Sequence, residues 1–405
     1  MDKNIFTPAD ILLPEGISPE KWSVIACDQF SSERDYWERA RLMVAGEPST
    51  LKMIIPEAYL EETDEEQAIG NIRAAMDDYI SCGVLREVKD SFIYVERTQP
   101  DGRVRRGIVG TIDLEEYEFS RACAAILASE GTVLDRLPAR IRIRRAARLE
   151  LPHIMAFIND ADATVIEPLS SMAGDLPLLY DFTLMEGGGS IRGMQVAGDA
   201  AQSVMEALRA LRGDNSMLMV VGDGNHSLAG AKVYWDELKL SLSAEEQESH
   251  PARRALLEVN NVYDPAISFE AIHRVVFDAP PLEVLKDFEA AMPQGSDYEL
   301  RWIVKGRSGL IGVKADCIGS MISSVQVFLD EYVKRAGCRV DYIHGEDSLS
   351  RLVEEEDGFG LILPAMDKSD LFATVAASGV FPKKSFSVGH ARDKRYYLEC
   401  RDITR

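Results

Sequence analysis

The run "MLMVVGDGNHSLAGAKVYW" at residues 217–235 constrains the fold most, because an apolar strand must give way to a helix across five small or polar residues. Residues 217–221 read as a short buried strand, and Leu228, Ala231, Trp235 and Leu238 share one face of the helix that follows. Between them Gly222, Asp223, Gly224, Asn225 and His226 leave no space for an ordinary loop. A strand passing through glycines into a helix N-terminus can hold an anion. The first helical N–H groups have no intrahelical partner, and the helix dipole adds partial positive charge there. Gly222 and Gly224 permit positive φ and close approach of a ligand to the backbone. Asp223 can position a metal ion or take a proton, and His226 and Ser227 can hydrogen-bond phosphate oxygens. A tight structural turn with Asn225 or Ser227 as the helix cap fits the same letters.

Elsewhere helix and strand signals alternate without repeats. "ETDEEQAIGNIRAAMDDYISCG" has a capping-box pattern at Thr63 and Glu66, then Ile69, Ile72, Met76, Tyr79 and Ile80 on one helical face, with Gly83 as the stop. "SFIYVERTQPDGRVRRGIVGTI" reads as a hairpin closed at Pro100-Asp101-Gly102. A helix is expected over 115–130, strands at "HIMAFIND" and on both sides of Gly187–Gly189, and a helix capped by Asp199 and stopped by Gly213. From about 265 the rhythm restarts: strand, helix, strand, a helix at 320–336, "RVDYIH", a helix at 346–355, "GLILPAM", a helix from Asp370 and "RYYLEC". Pro265, Pro280 and Pro281 mark a soft boundary. The fold class expected is α/β (α+β, mixed sheets) in two domains, 1–270 and 271–405.

A net charge of −22 argues against a general affinity for nucleic acid or anionic membrane. The six cysteines lie far apart with no CxxC pair, which fits reduced thiols, and no stretch is apolar enough to span a bilayer. The opening "MDKNIFTPADILLPEG" has no basic n-region, so no signal peptide is expected and the expected compartment is the cytoplasm. Established nucleotide fingerprints are absent: "GDGNHS" has the first two glycines of GxGxxG but Ser227 for the third, and no GxxxxGK[ST] occurs.

Several stretches in order, "ACDQFSSERDYW" (26–37), "ELPHIMAFIND" (150–160), "VGDGNHSLAGAK" (221–232), "IHRVVF" (272–277), "VDYIHGED" (340–347) and "GVFPKKSFSVGHARDKRYYLE" (379–399), resemble the domain-of-unknown-function 1015 family. That family's usual signature, DGHHR, is similar to the phosphate-gripping motif of the ParB/sulfiredoxin superfamily, which includes a free serine kinase. The resemblance implies a nucleotide-phosphate site over Gly222, Gly224, Asn225, His226 and Ser227. Here Asn225 stands for the first His and Ser227 for the Arg, which removes a bidentate phosphate grip.

A replacement cation is expected from one of three places. These are the segment with Arg136, Arg140, Arg142, Arg144, Arg145 and Arg148, the pair His273-Arg274, and Lys383-Lys384 with Ser385, Ser387 and His390. A solvated helix face is the competing reading of the arginines, a structural salt bridge that of His273-Arg274, and a plain surface loop that of the lysines. Asp28, after the apolar run Ser23–Cys27, is the candidate second acid, although it could equally cap a helix starting near Ser32. Glu150 and His153 straddle Pro152 and suit a mutual structural hydrogen bond; Asp181 and Glu186 are weaker acids to consider.

The function expected from these residues and the resemblance is a nucleotide-dependent phosphotransferase acting on a small hydroxylated metabolite, serine being the one the resemblance suggests. Its cofactors would be ATP or ADP with Mg²⁺, and its partners the small-molecule substrate and the nucleotide, with no nucleic acid and no membrane. Asp28, Asp223 and His226 are the catalytic candidates, Asp28 and Asp223 also the metal ligands, and Arg274, Lys383 and Lys384 the cationic helpers. Phosphate is expected against the N–H groups of Asn225–Leu228. A non-enzymatic nucleotide or anion sensor, and a phosphatase or nucleotidase, are the alternatives.

Overall fold

The structure is a computed structural model that describes residues 4–120, 123–132, 137–213 and 216–404. Its organising element is the hairpin Leu85–Thr98 and Val104–Asp113, in register Ile93↔Val109 and turned at Gly102, whose φ of 88° only glycine adopts easily. Alternate side chains of these strands serve two cores. Phe92, Tyr94, Ile108 and Ile112 pack on one face, while Ile93, Val95 and Val109 pack on the other. The same alternation continues in Arg254–Asn261, where Leu257 and Val259 face the first core and Leu256 the second. A sheet buried on both faces needs layers on both sides. Helices Gly198–Arg212 and Asn225–Leu238 supply the first, and Arg34–Val44 and Glu65–Ser81 the second.

The main path of this sheet runs Leu178–Thr183, Ser190–Val196, Leu85–Thr98, Val104–Asp113, Arg254–Asn261, Met155–Ile158, Met219–Asp223, Ile126–Ala128, Tyr117–Glu118. Pairings are mixed: Met219–Asp223 lies antiparallel to Met155–Ile158 but parallel to Ile126–Ala128. The class is therefore α/β with mixed sheets. Among the described residues no helix is long and apolar enough to cross a membrane.

The chain divides into two compact units, one of Met1–Ala128, Thr132–Ile267 and His390–Arg405, the other of Ser129–Gly131 and Ser268–Gly389. A single cut between 270 and 271 does not describe this division, because the last segment returns to the first unit. There Tyr396–Tyr397 pairs with Val24–Ile25, Arg401–Asp402 pairs with Leu149–Glu150, and Tyr396, Tyr397, Leu398 and Cys400 enter the second core. The second unit has its own sheet, in the order Arg307–Val313, Gln294–Val304, Phe359–Ile362, Phe269–Phe277, Arg339–His344. Its strand Phe269–Phe277 also pairs with Phe386–Val388.

Several expectations change. The helix stopped at Gly213 has Ala197 as its N-cap, so Asp199 lies in the first turn and does not cap it. The helix over 115–130 is replaced by short strands at Tyr117–Glu118 and Ile126–Ala128, because Ile126–Ala128 is buried by parallel pairing with Met219–Val221. Where one strand was expected before the helix at 320–336 there is a hairpin, Gln294–Val304 with Arg307–Val313. The helix Glu65–Ser81 is capped by Asp64, whose carboxylate accepts from Gln67 N at 3.0 Å, not by Thr63; its buried face is Ile72, Met76 and Tyr79.

Candidate functional site

Strand Met219–Asp223 ends on Asp223, and helix Asn225–Leu238 starts after Gly224, at φ 78°. Both glycines are required by the close approach of Phe157 and Ile154. A Cβ on Gly222 would lie 2.1 Å from the Phe157 ring, and one on Gly224 would lie 2.9 Å from Ile154 Cα. Gly224 is itself the N-cap, with no side-chain cap, so neither Asn225 nor Ser227 caps the helix. The amides of Ser227 and Leu228 both donate to Gly224 O at 3.0 Å, which removes them from the expected anion cradle. Asn225 is buried and His226 half-buried in the first turn.

The C-terminal segment brings the cation to this corner. Because Tyr397 pairs with Val24, Tyr396 with Ile25, and Ala26 N donates to Arg395 O at 3.0 Å, Lys394 falls beside the turn that carries Asp28. Lys394 is nearly buried, at 7% exposure, and its Nζ lies 3.1 Å from Asp223 Oδ2. Asp223 Oδ1 accepts from Gly224 N at 3.0 Å. The segment is anchored by Arg395, which pairs with Glu258 at 2.8 Å and Glu399 at 2.7 Å and donates to Pro152 O at 2.7 Å, all in the interior.

Asp28 and Asp223 act on the same buried imidazole, that of His153. Burial raises the Asp28 pKa, but the field of His153, a 3.0 Å bond from Gln29 Nε2, and the charges of Lys394 and Arg140 outweigh it, so the carboxyl sits below its ordinary value. Burial lowers His153, and Arg140 and Arg395 add to this; Asp28 and Asp223 oppose it without reversing the net fall. At neutral pH the site thus holds an ionised Asp28 beside a neutral His153. The ring is fixed by Tyr397 Oη at 2.9 Å from Nδ1, and Ser227 Oγ lies 3.4 Å from Nε2. Tyr397 Oη also donates to Cys27 Sγ at 3.2 Å, and burial pushes the Cys27 thiol up to about 12, so it stays protonated.

Asp28 does not cap the next helix, since Arg34–Val44 begins after Glu33. Glu150 and His153 do not pair; Glu150 is held by Arg144 at 2.8 Å, Arg401 at 2.6 Å and Leu256 N at 2.9 Å. Glu186 pairs with Arg39 at 2.8 Å. The basic segment is paired throughout: on the helix Leu137–Ala146, Arg140–Glu57, Arg142–Glu65, Arg144–Glu150 and Arg145–Glu237, and after it Arg148–Asp402, with Arg136 outside the described residues.

Arg274, Lys383 and Lys384 all belong to the second unit. Arg274 is enclosed within that unit; its guanidinium lies 5.3 Å from the Tyr342 ring centre and donates to Ile272 O. His273 Nδ1 accepts from Leu363 N at 3.3 Å. Lys383 and Lys384 lie exposed in a turn. Lys394 and His153 are the site residues that sequence reasoning left out of its catalytic and binding set. The signal for Lys394 was "DKRYYLE", a basic pair abutting an apolar run in an acidic chain.

The family profile described as "Protein of unknown function (DUF1015)" matches residues 13–377, and the chain belongs to that family. No curated protein matches it. Among solved structures it is similar to a conserved hypothetical protein from Pyrococcus furiosus, with TM-score 0.37 and 12% identity over 73% of this chain and 94% of that one. It is also similar to a free serine kinase in complex with AMP, with TM-score 0.37 and 13% identity over 73% and 90%. A third is SbnI from Staphylococcus aureus, with TM-score 0.33 and 11% identity over 69% and 82%. TM-scores this low establish neither a shared site nor a shared activity.

Proposed function

We propose that the chain is a nucleotide-dependent phosphotransferase that moves a terminal phosphoryl group from ATP or ADP to a small hydroxylated metabolite. The observation that carries this reading is the nearly buried Lys394 paired with Asp223 at a helix N-terminus, its charge acting also on Asp28. Phosphoryl transfer needs little covalent help from a protein; it needs positioning, charge neutralisation and one group for the proton. Lys394 and the first helical turn, at Asn225 and His226, face the phosphates. Asp28, ionised at neutral pH, takes the acceptor hydroxyl proton. The acceptor oxygen bonds to the terminal phosphorus as the bond from that phosphorus to the bridging oxygen breaks, and the shortened nucleotide leaves with that electron pair. Ser227 and His153 orient the hydroxyl.

Among the described residues no group of three or more His, Cys, Asp or Glu is arranged to hold a metal ion. Mg²⁺ does not require one, since it takes one or two carboxylates together with phosphate oxygens and water. Both Asp223 oxygens have partners, yet each keeps a further lone pair, so Asp223 could hold the ion, with Asp28 as the candidate second carboxylate. When bound it would supply added charge neutralisation.

The test follows nucleotide consumption by ³¹P NMR across a panel of hydroxylated metabolites. Asp28→Asn should lower acceptor-dependent turnover by about 10²–10⁴-fold and leave nucleotide affinity within about tenfold. Full activity in that variant removes Asp28 from the mechanism. Nucleotide binding by the wild type without turnover makes the chain a sensor, and phosphate release independent of acceptor makes it a hydrolase.

A further inference from the structure

Beside the charged corner lies a cavity of about 180 Å³, within the first unit. Its wall is mostly apolar, including Met53, Ile54, Ile55, Ile143, Leu151 and Leu256. Ile54, Ile55 and Ile143 are partly exposed and Leu60, also on the wall, is open to solvent, so the space communicates with water through an apolar mouth. One end is polar. Cys27, His153, Ser227 and Tyr397 line it, and Asp28 follows Cys27 directly. Ser227, Gly230 and Ala231 present one face of helix Asn225–Leu238 to it, as residues three and four apart must. Arg140 and Arg144, one turn apart, also line the wall; each spends a terminal nitrogen on a glutamate, and the Nε of each is buried without a hydrogen-bond partner.

We infer that this cavity is the acceptor pocket of the proposed phosphotransferase, and that the acceptor is an alcohol with an apolar body of roughly six to eight carbons. A cavity of about 150 Å³ takes one benzene, so the enclosed space here takes a ring and little more. Glu57 and Glu150 on the wall are already paired with Arg140 and Arg144, so the ammonium of a molecule as polar as serine would have to displace an existing ion pair, and the rest of it would lie against isoleucine and methionine. An alcohol seated here places its hydroxyl at Ser227 and His153, next to Asp28, and its carbon body against the apolar wall. The two unpartnered Nε–H groups add donors for an oxygen on that body. The inference rests on the phosphotransferase reading for the word acceptor, but the binding it claims can be measured without turnover.

The experiment titrates benzyl alcohol and the linear alcohols from butanol to octanol into the full chain by ligand-observed NMR, with L-serine and glycerol alongside. ³¹P NMR follows ATP and ADP in the same samples. Affinity should rise about fourfold per methylene until the cavity fills at six to eight carbons. Ile143→Trp, at the mouth, should weaken benzyl alcohol more than tenfold while ADP affinity stays within twofold. Ala139→Leu repeats the occlusion from the same helix if the tryptophan variant fails to fold. Alcohol binding that both variants abolish, with nucleotide consumed, supports the inference. The same binding with no nucleotide consumed keeps the cavity as an alcohol site and overturns the phosphotransferase. Transfer to serine or glycerol with no alcohol bound overturns the pocket and keeps the phosphotransferase. Loss of ADP affinity in the variants, with no alcohol bound, assigns the cavity to the nucleoside and overturns the inference.

Discussion

Lys394 in the first unit and Arg274 in the second are both buried cations, at 7% and 0% exposure, but they are held in opposite ways. Lys394 faces carboxylates: Asp223 lies 3.1 Å away, and its charge helps keep Asp28 ionised. Among the described residues Arg274 forms no salt bridge with a carboxylate; two of its nitrogens have no hydrogen-bond partner there, and burial lowers its pKa to about 10, against weaker support from Tyr342 and Glu130. A cation set among acids at a helix start can exchange partners with an incoming phosphate. A cation enclosed in its own sheet is a structural element whose charge is a cost. The same residue class in a suggestive motif therefore carries different chemistry according to what surrounds it.

The comparison breaks most sharply at Arg395, which fixes the segment bearing Lys394. Arg395→Met removes the buried cation paired with Glu399 and one of the two, with Arg105, that face Glu258, and should lower stability in urea unfolding by about 3–5 kcal/mol. A loss under about 1 kcal/mol, the surface-pair scale, would show that another contact holds the segment.

The next effect is a pH dependence. The folded pKa of His153 lies below its usual 6.5, so as pH falls past 6.5 the unfolded chain binds this proton first. Stability is complete above that value and declines as pH drops toward the folded pKa, by at most about 1.4 kcal/mol per pH unit. Urea midpoints at pH 7.5, 6.5 and 5.5 should show the decline, and His153→Gln should flatten it. The smallest effect belongs to Arg274. Arg274→Met removes an unpaired buried charge, so stability should stay within about 1 kcal/mol or rise. A loss of 3 kcal/mol would mean that Glu130 is a full partner.

Local chemistry made part of the fold legible. The hairpin about Pro100–Gly102 and the amphipathic faces of Glu65–Ser81 and Asn225–Leu238 were readable because turn residues and side-chain period act within a few residues. Segment 115–130 failed because Ile126–Ala128 takes its conformation from Met219–Val221, far along the chain. The corner at Asp223 was readable as a strand–helix junction, but not the reason for its glycines, which is the Phe157 ring and Ile154. Asp28 stood out as an acid after an apolar run. Lys394 did not, because only the return of the C-terminal segment to Val24–Ile25 sets it beside Asp223 and within the field of Asp28. Pairing across such separations leaves no local trace in composition or period.

The central claim is that Lys394 replaces the guanidinium grip missing at Ser227. Calorimetric titration of ADP and of adenosine into the wild type and Lys394→Met addresses it directly. A charge-assisted hydrogen bond to phosphate contributes about 1.5–3 kcal/mol, so ADP affinity should fall about 10- to 150-fold while adenosine affinity is unchanged. Unaltered ADP affinity in the folded variant, or an equal loss for adenosine, would contradict the claim.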